Sequence, residues 1–271
     1  TVKWCRFEVN GKVSYGRIEG DTVVAVDGEP WGEPRETGAK HVMSSVKLLV
    51  PVIPPTFYCV GLNYREHIIA SAKRRGIEPK FPQRPDVNYR ANNALCAHGD
   101  AIVKPQDAGE LFQYEGELVA VIGKQGRKIP QDKALDYVFG WTIGNDVSER
   151  TWQRGDRTGW RAKNSDTFNP MGPWIVPASQ IPDIYKLSLK QWVAGELMQD
   201  SSTSYMHFTI AEQIAYLSAR FTLRPGDVIA TGSPSGNGRP RGVYRKFGIA
   251  RIAVSEERPV EALLDSAVFD D

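Results

Sequence analysis

The residues best placed for chemistry are carboxylates. Glu115 and Glu117 stand two apart in YEGELVAVIG (114–123), and Asp146 ends the apolar run YVFGWTIGND (137–146). In a strand, side chains at i and i+2 share a face, so the two glutamates point the same way, about 7 Å apart along the backbone. That face continues through Val119 and Val121, which makes it an interior one. Two acids aimed at an interior repel each other and are costly to desolvate; a divalent cation removes both problems. Three carboxylates with no nearby His or Cys favour a hard ion, Mg²⁺ or Mn²⁺, with Ca²⁺ admitted. Gly116 leaves the opposite face bare, so backbone or substrate is expected to approach there. An E-x-E pair alone is common on solvated strand faces, so the reading depends on what surrounds it.

The elements that must position these acids can be read in outline. The first fifty residues alternate as short strands with tight turns at NGK and EGD, a small β-rich module over 1–52. GEPWGEPRETG (28–38) reads as a linker, and PVIPP (51–55) marks a boundary before a main domain over 53–271. TFYCVG reads as a strand followed by a short helix, and residues 76–92 as a long ordered loop or lid. AIVKP (101–105), YEGELVAVIGK and FGWTIGNDV read as strands, and PQDKALDYV as a helical turn. Ile210, Ile214, Leu217 and Phe221 recur at helical spacing, a core stripe. LRPGDVIATGSPSGNG gives a turn, a buried strand and a Gly-rich loop. Interspersed strands with few long helices predict a β-dominated α+β fold.

Composition narrows the function. Of 271 residues, 34 are Lys or Arg and 32 Asp or Glu, so the net charge is +2, which argues against nucleic acid or an anionic membrane as partner. No apolar stretch is long enough to span a bilayer, and the N-terminal residues lack the apolar core of a secretory signal. Cys5, Cys59 and Cys96 are far apart and odd in number, as expected of reduced thiols in a cytoplasmic protein.

Six stretches, VGLNYREH (60–67), FQYEGELVAVIGK (112–124), GWTIGNDVSERTWQ (140–153), AKNSDTFNPMGPWIV (162–176), GELMQDSSTSYM (195–206) and LRPGDVIATGSPSG (223–236), resemble in order and spacing the fumarylacetoacetate hydrolase family, in particular its shorter members with a small N-terminal module. The resemblance implies a mixed β-sandwich roll, a homodimer, and Mg²⁺ or Mn²⁺ on Glu115, Glu117 and Asp146. It implies a small acidic substrate with a 2-oxo or 1,3-dicarbonyl group that chelates the ion. It further implies Lys163 as the lysine that meets the developing oxyanion and His67 as the general base on a lid helix. Gln153 and Thr231 would bind substrate, Thr231 at its carboxylate.

The chain also departs from the family pattern. Hydrolytic and decarboxylating members usually carry a Glu three residues after the lid His, where this chain has Ala70. Glu66 would face another way on a helix, and Glu78 would reach only if its loop folded back. The stretch around Tyr89 and Arg90 differs from the usual F-x-K-P-x-S, making Arg90 a candidate cation for an acidic substrate. Ala194 stands where the family usually has Asn, and the strand register of VYRKFGIARIAVSEERPVEALL (243–264) is not evident. The leading expectation is a metal-dependent hydrolase that cleaves a C–C bond in a 1,3-dicarbonyl or acylpyruvate-type acid through an enolate. The alternative, favoured by the missing acid, is an isomerase, hydratase or decarboxylase acting on a 2-oxo acid at the same site. A binding protein without activity is disfavoured, because every metal and lysine position is kept.

Overall fold

The computed structural model describes residues 1–236, 250–256 and 264–265. The N-terminal fifty residues form β1 (Lys3–Val9), β2 (Lys12–Glu19), β3 (Thr22–Asp27), β4 (Arg35–Val42) and β5 (Lys47–Leu49). Then come β6 (Phe57–Gly61), α1 (Arg65–Arg75), β7 (Asp86–Tyr89), β8 (Leu95–Cys96), β9 (Phe112–Gln113), β10 (Gly116–Ile122) and β11 (Val138–Asn145). β12 (Ser148–Glu149), α2 (Arg150–Gly155), α3 (Trp160–Asn164), β13 (Asn169–Pro177), β14 (Leu187–Val193) and β15 (Glu196–Ser202) follow. α4 (Ile210–Ser218), β16 (Val228–Ala230), β17 (Ala250–Glu256) and β18 (Leu264–Asp265) come last among the described residues. The fold is α+β and β-dominated, as the sequence predicts.

One mixed sheet runs in the order β4-β3-β2-β1-β13-β11-β10-β16-β6-β7, with β5 beside β1 and β8 beside β13. β16 pairs parallel to β6, and β8 parallel to β13. The N-terminal strands join this sheet through β1 and β13, with Trp4 opposite Ile175. A second sheet, β15-β14-β17-β18, packs its Leu187 and Leu189 into the core formed by Leu118, Ala120 and Ile122 of β10 and by Ile210, Ile214 and Leu217 of α4. The other face of β10, Val119 and Val121, packs with Phe57, Cys59, Val228 and Ile175. A strand covered on both faces needs no polar alternation, which is why LVAVI is apolar throughout. Each large aliphatic side chain buried there stabilises the fold by about 2 kcal/mol.

Turn chemistry sets the hairpins. Asn10 and Gly11, at φ 50° and 77°, link β1 to β2 as the sequence predicts. Ala194 and Gly195, at φ 51° and 81°, link β14 to β15; the first is a left-handed position that Asn occupies more easily than Ala.

Three local expectations are corrected. The supposed linker 28–38 turns at Glu29 to Gly32 and then enters β4, which pairs with β3. Its Trp31 packs edge-on against Tyr15 and Phe139, and this burial holds the segment down. AIVKP forms no strand, since Val103 is exposed and has no sheet face to cover. The long loop 76–92 ends in β7, which pairs antiparallel with β6 and so fixes the residues that follow it. In the C-terminal stretch, β17 lies antiparallel to β14 from Val193 opposite Ala250 to Leu187 opposite Glu256; residues 243–249 and 257–263 lie outside the described residues.

Candidate active site

Sheet register brings the three acids together. β10 pairs antiparallel with β11, with Gly116 opposite Asn145. Asp146 N–H donates to Glu115 O at 2.8 Å, and Glu115 N–H to Asn145 Oδ1 at 2.9 Å. One carboxylate oxygen from each of Glu115, Glu117 and Asp146 lies within 4.8 Å of the others, and all three side chains are buried. Three converging, buried, hard oxygen donors suit Mg²⁺ or Mn²⁺, so the residues fit the ion the sequence calls for.

The cations around this triad are distributed unevenly. Lys163 from α3 donates through Nζ to Glu115 Oε2 and to Asp146 Oδ2, each at 2.8 Å. Asp166, three residues further on, accepts from Asn93 Nδ2 at 2.9 Å. Arg150, at the start of α2, pairs through Nη2 with Glu115. Arg90 makes a two-pronged contact with Asp146, Nε to Oδ1 and Nη2 to Oδ2, both 2.8 Å. Glu117 has no ion-pair partner among the described residues and accepts from Gly232 N–H at 3.1 Å.

The titration of the acids follows this distribution. Burial opposes ionisation of Asp146, but Arg90 and Lys163 outweigh it and hold the carboxyl well below the usual range. Burial also acts against Glu115, which Arg150 and Lys163 hold below its ordinary value. For Glu117, burial and repulsion by Asp146 and Glu115 push the carboxyl well above its ordinary value. The unpaired acid is the one that gains most from a cation in the cavity.

The cavity has a volume of about 330 Å³ and is lined by the triad together with Leu62, His67, Arg90, Arg150, Gln153, Lys163 and Ser233. His67 lies on α1 as expected. Its Nδ1 stands 3.4 Å from the Pro234 carbonyl, and burial lowers its pKa. Neither acid considered from the sequence replaces the one missing at Ala70: Glu66 accepts from the Ser201 hydroxyl, and Glu78 is exposed. Gln153 is at the exposed rim and accepts from Arg150 Nη1 at 2.8 Å.

Two expected substrate contacts are placed otherwise. Thr231 is fully buried, and its hydroxyl donates to Leu118 O at 2.7 Å, so it is spent inside the sheet. Gly232, at φ 109°, turns the chain beyond it and leaves Ser233 facing the cavity. Arg90 already has an acidic partner, Asp146, because β7 ends beside the triad. The close approach expected at Gly116 comes from side chains of the second sheet. A Cβ there would stand 2.8 Å from Gln191 Oε1, and Gly116 N–H donates to Gln199 Oε1 at 2.9 Å. Gln199 Nε2 also donates to Ser233 Oγ at 3.0 Å and to Pro234 O at 2.9 Å, tying the E-x-E strand to the loop that faces His67.

Sequence reasoning missed Arg150, Ser233 and Gln199. The available signal was position within the motifs: Arg150 four residues after Asp146, Ser233 two after Thr231, and Gln199 inside GELMQD.

Residues 56–256 match the sequence model of the fumarylacetoacetate (FAA) hydrolase C-terminal family, and residues 2–51 match the Rv2993c-like N-terminal family. Oxaloacetate tautomerase YisK of Bacillus subtilis is 40% identical over 201 residues, covering 73% of this chain and 65% of that protein. The crystal structure of 5-carboxymethyl-2-hydroxymuconate delta-isomerase from Mycobacterium smegmatis superposes with a TM-score of 0.80 at 33% identity, covering 93% of this chain and 95% of that one. The structure of maleylpyruvate hydrolase from Sphingobium sp. SYK-6, in complex with manganese(II) and pyruvate, superposes with a TM-score of 0.74 at 26% identity, covering 93% of this chain and 95% of that one. With six motifs in order, a matching fold and a family match over most of its length, the chain belongs to the fumarylacetoacetate hydrolase family of enzymes.

Proposed function

We propose that this chain is a divalent-metal-dependent isomerase or tautomerase of a 2-oxo dicarboxylic acid, which moves a proton and leaves the carbon chain intact. The observation that carries this reading is the setting of His67. A base that activates water for C–C hydrolysis gains from a carboxylate that charges it as it takes the proton. His67 is hydrogen-bonded instead to the neutral carbonyl of Pro234, and burial outweighs the pull of the Glu115 charge and disfavours its charged form. That suits a group that accepts a proton briefly and returns it.

Glu115, Glu117 and Asp146 would hold the ion, which would supply Lewis acidity to the substrate. Lys163, fixed between two carboxylates, presents an ammonium donor to the carbonyl oxygen that gains charge. With Nδ1–H on Pro234 O, the Nε2 lone pair of His67 is left for the cavity. A proton passes from the carbon beside the 2-oxo group to Nε2. The C–H electron pair becomes the C=C bond, and the former carbonyl oxygen takes the charge and then a proton. Arg150, held in place by Gln113 and Gln153, offers a guanidinium for the second carboxylate. The oxaloacetate tautomerase relative supports a four-carbon 2-oxo dicarboxylate as the first substrate to try.

A second reading, hydrolysis of an acylpyruvate-type acid, is favoured by the likeness to the maleylpyruvate hydrolase structure. Oxaloacetate and acylpyruvates, incubated in D₂O with Mg²⁺ or Mn²⁺ and followed by NMR and mass, separate the two. The proposal expects accelerated keto–enol exchange, deuterium uptake at the carbon beside the 2-oxo group, no fragments, and arrest by EDTA. Stoichiometric cleavage with water added would establish the hydrolytic reading, and turnover that survives EDTA would remove the metal from both.

A further inference from the structure

Three cations, Arg90, Arg150 and Lys163, meet the triad of acids, and Asp86 adds a fourth carboxylate to the cavity wall. Among the described residues these cations pair with Asp146 and Glu115, and none pairs with Glu117. Lys163 is shared between Glu115 and Asp146, each at 2.8 Å, whereas Arg90 occupies both oxygens of Asp146. The proton transfer above gives Arg90 no task.

It is also held in place. Arg90 N–H donates to Phe57 O at 3.0 Å, and the next residue, Ala91, donates its N–H to Asn164 Oδ1 at 2.7 Å. Asn92 Nδ2 donates to Pro54 O at 3.0 Å, and Asn93 Nδ2 to Asn164 O at 3.0 Å. These bonds anchor the backbone at the end of β7 to the core and to the end of α3, the helix that carries Lys163. The Arg90 side chain is 8% exposed, so water screens its charge little.

A fixed positive charge against a metal carboxylate opposes a bare dication and favours a dication that arrives with, or is followed by, an anion. We propose that Arg90 makes this site bind its divalent ion and its anionic substrate as a pair. This rests on the metal reading above and extends it: the preferred substrate is a chelating dianion, whose two charges cancel those the ion adds. Linkage makes the effect reciprocal, so the ion strengthens the anion as much as the anion strengthens the ion.

Calorimetric titration of the full chain, stripped with EDTA and dialysed, tests this with Mn²⁺ alone and with Mn²⁺ plus saturating oxalate, referred to free ion after allowance for soluble manganese oxalate. Oxalate is a chelating dianion that does not react. In the wild type, oxalate is expected to tighten Mn²⁺ by about tenfold or more, and Arg90→Gln to bind Mn²⁺ alone about tenfold tighter with the oxalate effect reduced by a similar factor. Arg90→Lys, which keeps the charge, is expected to keep the wild-type pattern. Arg90→Met replaces the glutamine variant if circular dichroism shows that variant unfolded. An oxalate effect below about twofold in the wild type, or one undiminished in the neutral variant, overturns the proposal and leaves the metal site standing. No Mn²⁺ binding with or without oxalate removes both.

Discussion

Lys163 is the residue on which the electrostatics of the cavity turn, because one ammonium group is shared between Glu115 and Asp146. Its donor geometry exists before any substrate arrives, so it needs no rearrangement when charge develops on oxygen. Lys163→Met is therefore expected to lower turnover by about a hundredfold or more, and steady-state rates on oxaloacetate at saturating Mn²⁺ check this. His67 makes a different prediction. Burial lowers its pKa in the folded chain, so the folded state binds fewer protons than the unfolded state as the solution becomes acidic. Its contribution to stability is present above the unfolded value of about 6.5 and is lost as pH falls towards the folded value. Urea melts of wild type and His67→Gln between pH 8 and pH 5 are expected to show the wild type losing stability relative to the variant on the acid side (a range set about the unfolded value).

Among the elements, the hairpin between β14 and β15 has a residue that its backbone does not favour. Ala194 sits at φ 51°, where a Cβ crowds the following carbonyl and Asn is more easily accommodated. Ala194→Asn is expected to raise stability by about 0.5–1 kcal/mol, read from the urea midpoint with an unchanged slope. The same hairpin carries Gln191 and Gln199, whose side-chain amides reach the E-x-E strand from the second sheet. The bare face of Gly116 thus serves sheet packing. Gly116→Ala would drive a Cβ to 2.8 Å from Gln191 Oε1, and a lower melting temperature together with weaker Mn²⁺ binding is the expected outcome, measured by scanning and titration calorimetry.

For the molecule as a whole, one mixed sheet runs through both the N-terminal strands and the strands that carry the acids. Among the described residues no helix is long and apolar enough to cross a membrane. Three thiols are built into this body. Cys5 and Cys59 are 1% and 3% exposed, and Cys96 is 7% exposed, and burial raises all three thiols to about 12. A thiol that is neither ionised nor accessible is a poor nucleophile. Ellman's reagent at pH 8 is expected to label the folded chain slowly and the urea-unfolded chain at once, with three thiols released; immediate labelling of the native chain would contradict the packing (pH chosen near the free-thiol value).

The sequence by itself determined the α+β class, most strands and the pairing of Glu115 with Glu117 on one face. Period-two patterning and turn residues are local, and an i, i+2 pair on a strand shares a face however the rest of the chain folds. The order of the six motifs also identified the family. Only the tertiary structure decided which cation meets which acid. Arg90, Arg150 and Lys163 lie 56, 35 and 17 to 48 residues from the carboxylates they contact, distances over which no local pattern carries information. It also decided that the Thr231 hydroxyl turns inward to a carbonyl while Ser233 faces the cavity, and that a backbone carbonyl stands beside His67. Such assignments follow from strand register and from the paths of connecting loops, which are fixed when the two sheets close on one core.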